Sequence, residues 1–323
     1  QFFESTSAAN MVTIDSLETT YKAKFQNEAD ANKITNAENY GRQVASAIFE
    51  WSKTDGGHEA YKHIVDPGYT PPGDGTGHDG NWIPTPLAFG PPVYPHWGDN
   101  RSFIANSAAL TQPGPPIAYS ENVKSPFYRM VNDIYTTSLS LTHEDSIVAK
   151  IWGDQPGNLN VPAHATNILT QLINLNKLDL YEAAAVYALH GIAMNDASIS
   201  VFKTKYKYNQ LRPISYIRNV MLISNWNSVI PTPSHPEYPA AHAEVSGASA
   251  RVLERFFGQN YKFTDYTYDG SYGLRSFNSF EDYAKEAGHS RFLAGIHFAP
   301  SIVTGLEMGY KIGDMVNRLK VKN

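Results

Sequence analysis

The sequence predicts an all-α protein on three observations. Apolar residues recur three and four positions apart in successive windows, polar capping residues stand ahead of several of those windows, and alternating runs of β-branched residues are absent. In chain order, Val44, Ala47, Ile48 and Trp51 mark one helix face. Ser125-Pro126 reads as an N-cap followed by a first-turn proline, leading into Met130, Val131 and Ile134. Thr142 to Asp145 resembles a capping box, with Asp in place of the usual Glu, ahead of Ile147, Val148, Ile151 and Trp152. Ile168, Leu169, Leu172 and Ile173 mark the next helix, and a long one is predicted from Asp179 to about Phe202. The stripe Val245, Ala248, Ser249, Val252, Leu253, Phe256 stops at Gly258, a suitable C-cap. Ser279 caps a helix ending before Pro300, and Ile302, Val303, Leu306, Ile312, Met315, Val316 and Leu319 form the last.

One stretch breaks this pattern. Twelve of the 20 prolines lie between Pro67 and Pro126, together with eight glycines and the aromatics Tyr69, Trp82, Phe89, Tyr94, Trp97, Phe103 and Tyr119. Flexible linkers do not carry so many rings. Residues 64–126 are therefore expected to be an ordered loop region packed on the helical body, either shaping a cleft or covering apolar helix surface. The whole chain, 1–323, is expected to be a single domain.

Composition removes several function classes. With 26 Lys+Arg against 31 Asp+Glu the net charge is −5, which argues against nucleic-acid binding by bulk charge. There is no cysteine, hence no disulfide, thiol nucleophile, iron–sulfur cluster or Cys-ligated zinc. The longest nearly apolar stretch, Ala183–Asn195, is too short for a membrane span. His58-Glu59 followed by His63 resembles a zinc-protease motif, but the second histidine comes one position too late to share a helix face with the first. Neither a GxxxxGK[ST] nor a GxGxxG phosphate loop occurs.

Three segments could together hold a multiply charged oxyanion, which needs several fixed cationic and N–H donors. They are Lys205 with Arg212-Pro213, Tyr238-Pro239-Ala240-Ala241-His242, and Ser290-Arg291 followed by His297. Alone, each is weak: a lysine near a helix end, a lone histidine and a lone arginine are usually structural or solvated.

Their order and spacing resemble the K-x6-RP, P-S-G-H and S-R-x5-H-x3-D pattern of the vanadium-dependent haloperoxidases and the type 2 phosphatidic acid phosphatases. Asn195-Asp196-Ala197, Thr232–Ala243 (TPSHPEYPAAHA), and the stretch from Trp82 to Pro86 with Pro95–Gly98 are similar to the bacterial haloperoxidase branch. The resemblance implies a helical bundle of the haloperoxidase and acid phosphatase type, with the anion-site segments within 202–301. It implies vanadate as cofactor, with Lys205, Arg212 and Arg291 on its equatorial oxygens, Ala240 and the N–H of Ala241 beside it, and His297 as the axial vanadium ligand. His242 would be the acid–base histidine opposite, and His242, His297 and Lys205 the catalytic set. Hydrogen peroxide would then oxidise a halide to hypohalous acid. Phosphate is expected in the site when vanadate is absent. The alternatives are an acid phosphatase with His297 as nucleophile, and a repurposed oxyanion-binding protein.

Three positions depart from the pattern. Ala240 replaces Ser, Ala241 replaces Gly, and Ser301 replaces the final Asp that is expected to orient a site histidine. The lost serine hydroxyl would weaken a charged ligand by roughly 1.5–3 kcal/mol. Phe202, where many relatives have Trp, and His235 are the expected halide pocket. The neutral-to-apolar pocket suggested by Phe202 and Ala240 favours iodide or bromide over chloride. The resemblance further implies an extracytoplasmic protein whose signal peptide is not part of this chain, and relatives that are often homo-oligomers. Neither a nucleic-acid partner nor a membrane span is expected.

Overall fold

The computed structural model describes residues 6–154 and 159–321. Two compact units form, Gln1–His63 and Ile64–Asn323. The first contains α1 (Ala8–Phe25) and α2 (Ala31–Ser52). Each starts at a polar cap: the Ser7 side chain accepts from the Asn10 N–H and that of Asp30 from the Lys33 N–H. Lys22–Glu38 (2.7 Å) and Arg42–Glu18 ion pairs join the two helices. Val44, Ile48 and Trp51 lie on a helix, as their spacing predicts, but remain 40–49% exposed. In the same unit His58 meets Ser52 Oγ through Nδ1 at 3.1 Å, and His63 is exposed.

The second unit contains α3 (Ser107–Leu110), α4 (Pro126–Ser138), α5 (His143–Ile151), α6 (Val161–Asn176), α7 (Leu180–Tyr208), α8 (Pro213–Asn219) and α9 (Ala241–Phe257). The small hairpin β1 (Phe263–Asp265) and β2 (Arg275–Phe277) follows, enclosing α10 (Asp269–Tyr272), and then α11 (Phe280–Leu293) and α12 (Ala299–Val316) complete the unit. The two strands are antiparallel with Phe263 opposite Phe277 and form the only sheet among the described residues.

Local sequence sets most helix ends. Ser125, Thr142, Asn160, Asp179 and Ser279 all cap through their side chains, and Thr142/Asp145 and Asp179/Glu182 are complete capping boxes. Gly258 ends α9 at φ 97°. Helix α7 runs two turns past its expected end at Phe202, because the good helix formers Lys203, Lys205 and Lys207 carry it to the left-handed Asn209. That extension places Lys205 inside the helix.

Helix α9 is central. Val245, Ala248 and Val252 pack with Leu189, Ala193 and Ala197 of α7 and with Ile312 and Val316 of α12. The α12 contact is unusually close because Gly305, Gly309 and Gly313 face α9. A Cβ at Gly305 would sit 2.6 Å from the Ala240 carbonyl, and one at Gly309 only 2.1 Å from that of Glu244. Other apolar clusters gather Trp152, Leu169, Phe280 and Tyr283, and Phe127, Leu211, Tyr216 and Phe298.

Residues 64–126 are pinned to this bundle. The Trp82 N–H donates to the Asn209 carbonyl (2.7 Å) and the Leu211 N–H to that of Gly80 (3.0 Å). The Val93 N–H bonds the Ser234 carbonyl (2.9 Å), and Tyr206 Oη donates to the Val93 carbonyl. Buried Asp196 on α7 accepts from the N–H groups of Phe103 and Ile104 and from Ser107 Oγ. Among the described residues, no helix is long and apolar enough to cross a membrane.

Candidate active site

Three cations converge although nothing local requires it. Lys205, Arg212 and Arg291 are each at most 1% exposed. Lys205 comes from the last turns of α7 and donates from Nζ to the carbonyls of Pro236 and Glu237, both at 2.8 Å. An ammonium has three N–H donors, so one is left for a ligand. Arg212 is the N-cap of α8 with extended backbone, the conformation that a following proline imposes. Its Nε donates to the His235 carbonyl (2.9 Å), Nη1 to the Ile296 carbonyl (2.8 Å) and His297 Nε2 (3.1 Å), and Nη2 to His235 Nδ1 (3.1 Å). Arg291, near the end of α11, reaches Ser290 Oγ, the Ala149 carbonyl and His242 Nε2.

Among the described residues none of the three cations forms an ion pair with a carboxylate; their bonds run to carbonyls, a hydroxyl and imidazoles. Burial pushes Arg212 and Arg291 down to about 10, and burial with the neighbouring Arg212 pushes Lys205 well below its usual range. Three cations buried together with no carboxylate in direct ion-pair contact make a site suited to an anion.

His297 lies between α11 and α12. Arg212 can only donate to Nε2, so Nε2 holds a lone pair and the ring proton sits on Nδ1, 2.9 Å from Glu237 Oε1. Burial and the charges of Arg212 and Lys205 hold the ring neutral, far below the usual histidine range. His242 sits in the first turn of α9. Its Nε2 is 3.3 Å from both Arg291 Nη1 and Asp154 Oδ2, a donor and an acceptor. Burial and Arg291 lower its pKa to about 4, against the opposing pull of Asp154.

The backbone of Ala240 and Ala241 divides. Ala240 is fully buried and its N–H donates to the Ser301 carbonyl at 3.1 Å, so that donor is engaged within the fold. Ala241 is the first residue of α9, where N–H groups have no partner inside the helix, and it is half-buried beside His242. The helix N-terminus thus adds a positive partial charge to the three cations. Phe202 and His235 are also half-buried, with ring centroids 5.3 Å apart, and Tyr94 from the loop packs on Phe202 at 5.4 Å. All nine residues singled out in the sequence therefore fall in two adjoining groups, a buried cage and its half-buried rim.

Four further residues belong to the site. Glu237, fully buried, lies in the quoted 232–243 stretch but carries no spacing signal. Asp154, His164 and Asp265 form a buried chain behind His242. His164 Nδ1 meets Asp154 Oδ1 at 3.1 Å and Nε2 meets Asp265 Oδ2 at 2.9 Å. With an acceptor on each nitrogen, the ring must carry both protons. Against the desolvation of burial, these bonds raise its pKa to about 9, and the histidines in turn hold Asp154 far below the usual carboxylate range. Trp152 stacks on His164 at 4.5 Å.

The family model of the VCPO second helical-bundle domain matches residues 185–322, the span that holds all three anion-site segments. A solved structure described as the first bacterial vanadium-dependent iodoperoxidase is 32% identical, with a TM-score of 0.82 over 95% of this chain and 74% of that one. The chain belongs to the vanadium-dependent haloperoxidases. Two forms of a bacterial vanadium-dependent chloroperoxidase, holo and apo, share the fold at 18% identity, with TM-scores of 0.70 and 0.63 over 85% and 77% of this chain. No curated protein matches the sequence. The haloperoxidase fold thus gathers the cations, while the carboxylate on His297 comes from Glu237 rather than from position 301.

Proposed function

We propose that this chain is a vanadate-dependent haloperoxidase that oxidises iodide or bromide: H2O2 + X− + H+ → HOX + H2O. The observation that carries the reading is the buried triad of Lys205, Arg212 and Arg291, without carboxylate partners, facing a neutral histidine whose Nε2 is a lone-pair donor. Vanadate fits this donor set. It is a tetrahedral oxyanion needing both charge-assisted hydrogen bonds to oxygen and one nitrogen ligand for the metal. Lys205, Arg212 and Arg291 would hold its oxygens, with the N–H of Ala241 at the α9 terminus, and His297 Nε2 would ligate the metal. Bound vanadate would supply a Lewis-acidic V(V) centre that makes peroxide electrophilic.

The chain's own residues supply the proton handling. His242 is neutral at neutral pH and can take a proton from hydrogen peroxide and return it to the departing water. His242 Nε2 can accept from Arg291 or, in the other tautomer, donate to Asp154, and it is in this second tautomer that Nδ1 has the lone pair to take a proton. Asp154, kept ionised by His164, stabilises the imidazolium whenever His242 is protonated. Phe202, Tyr94 and neutral His235 form a rim of polarisable rings, suited to a large, weakly hydrated halide rather than to chloride. The likeness to a bacterial iodoperoxidase supports the same preference. An extracytoplasmic location belongs to this proposal and rests on the family resemblance alone.

The test is peroxide-driven oxidation of iodide, bromide and chloride by the vanadate-loaded protein, beside His297→Ala. Vanadate-dependent triiodide formation, absent in the variant, is expected. Vanadate binding without halide oxidation would overturn the reading. Hydrolysis of p-nitrophenyl phosphate by the vanadate-free protein would then favour a phosphatase, for which the carboxylate-held His297 also has the geometry of a nucleophile.

A further inference from the structure

We propose that Glu237 is the positioning carboxylate of His297, performing from a separate segment the task that the family pattern gives to position 301. The role concerns the proposed anion site, but the geometry stands on the chain's own residues. Glu237 Oε1 accepts from His297 Nδ1 and from the Phe298 N–H, both at 2.9 Å, while Oε2 accepts from Ser301 Oγ at 2.7 Å. Phe298 is the N-cap of α12 and has no side-chain cap of its own, and Ser301 is the third residue of that helix. In a capping box the third residue's acidic side chain reaches back to the N-cap N–H. The Glu237 carboxylate therefore lies where the side chain of an acidic residue at 301 would lie, making that residue's backbone bond as well as the bond to His297. The serine at 301 is what leaves room for it, and its hydroxyl donates to the carboxylate instead of competing with it.

A helix cap alone would not need to touch His297. This carboxylate does, and the consequence is specific. It fixes the Nδ1–H and turns the Nε2 lone pair toward Arg212 and the cage. Glu237 is also anchored through its own backbone: its carbonyl accepts from Lys205 Nζ and its N–H donates to the Gln210 carbonyl. The residue thus ties the α7 end, the His297 ring and the start of α12 to one point.

The inference predicts a sign reversal between positions 237 and 301. Ser301→Asp alone would set a second carboxylate against Glu237, and like charges at that distance disfavour each other. Orthovanadate affinity is then expected to fall. Glu237→Ala alone is expected to weaken orthovanadate binding about 10- to 100-fold, the usual effect of removing an outer-shell partner. In Glu237→Ala/Ser301→Asp most of that affinity should return.

A second readout needs no vanadate. In the 1H–15N spectrum of the vanadate-free protein, His297 should show an exchange-protected Nδ1–H and an unprotonated Nε2. The Nδ1–H signal should be lost to solvent exchange in Glu237→Ala, be kept in Glu237→Gln, whose amide oxygen can still accept, and reappear in the double variant. A protected Nδ1–H in Glu237→Ala overturns the proposal. So does a double variant that regains thermal stability but neither the signal nor the affinity, because Glu237 would then be a helix cap only. If Glu237→Ala does not fold, Ser301→Asp decides: orthovanadate affinity equal to the wild type would overturn the coupling. Failure of the wild type to bind orthovanadate would count against the function proposed above, while the ring spectrum would still decide the role of Glu237.

Discussion

Substituting Gly309 and Gly191 by alanine should move stability in opposite directions, although both lie inside helices of the same unit. Alanine in a helix interior is favoured over glycine by about 1 kcal/mol. At Gly191 on α7 a new Cβ meets nothing within 4 Å, so that gain stands and Tm should rise by roughly 2–4 °C. At Gly309 the Cβ would lie 2.1 Å from the Glu244 carbonyl oxygen and 2.9 Å from the Ala248 nitrogen, where ordinary contact begins at 3.4 Å. Both neighbours are backbone of α9, so relief requires moving the helix rather than a side chain. Overpacking of this kind costs about 3 kcal/mol, the upper end of the usual range. Net of the helix gain, the loss is about 2 kcal/mol, and Tm should fall by roughly 4–8 °C for a unit of this size. Because α9 starts at Ala241 and carries His242, orthovanadate affinity should fall in Gly309→Ala and stay unchanged in Gly191→Ala. Thermal unfolding and orthovanadate titration of both variants check this. A Gly309→Ala protein as stable as the wild type would refute the reasoning that the α9–α12 approach is set by backbone contact.

Three further outcomes are expected. Arg212→Lys keeps the charge but loses the fork that reaches His235, His297 and the Ile296 carbonyl together, so orthovanadate affinity should drop about 10-fold or more by calorimetric titration. Asp196→Ala leaves the Phe103 and Ile104 N–H groups and Ser107 Oγ without their acceptor, at a cost of about 3 kcal/mol, and hydrogen exchange should accelerate over residues 103–107 ahead of the bundle. Burial depresses His190 on α7 from 6.5 to about 4. The unfolded state therefore binds the extra proton first, and stability present above pH 6.5 is lost as pH falls toward 4, by about 3 kcal/mol for this group. Denaturant titrations of the wild type and His190→Gln at pH 7 and pH 4.5 should show a smaller pH dependence in the variant.

The helices were legible because their signals are local. Ser125, Thr142, Asp179 and Ser279 cap through bonds spanning three residues, which sequence spacing can express. The cage was legible for another reason: Lys205, Arg212, Arg291 and His297 keep the intervals of a known pattern. Glu237 followed no rule, since its partners His297, Phe298 and Ser301 are distant in sequence and their bonds arise only when α12 docks. The Asp154–His164–Asp265 chain is hidden in the same way, assembled from the end of α5, α6 and the hairpin. The engagement of the Ala240 N–H by Ser301 and the exposure of the α2 stripe are likewise products of packing, to which periodicity is blind.

The ties along residues 64–126 also change what this segment is as a polymer. Attachments at Gly80–Trp82, at Val93 and at Phe103–Ser107 divide one long excursion into several short closures, each with its ends fixed on the bundle or on residues held to it. Closure entropy is then set by each interval and not by the full length. A single protease cut beside Leu87, which is 80% exposed, would free only the chain between Trp82 and Val93. Both fragments would keep their own moorings, so the nicked protein should run as two bands in denaturing gels while eluting as one species under native conditions.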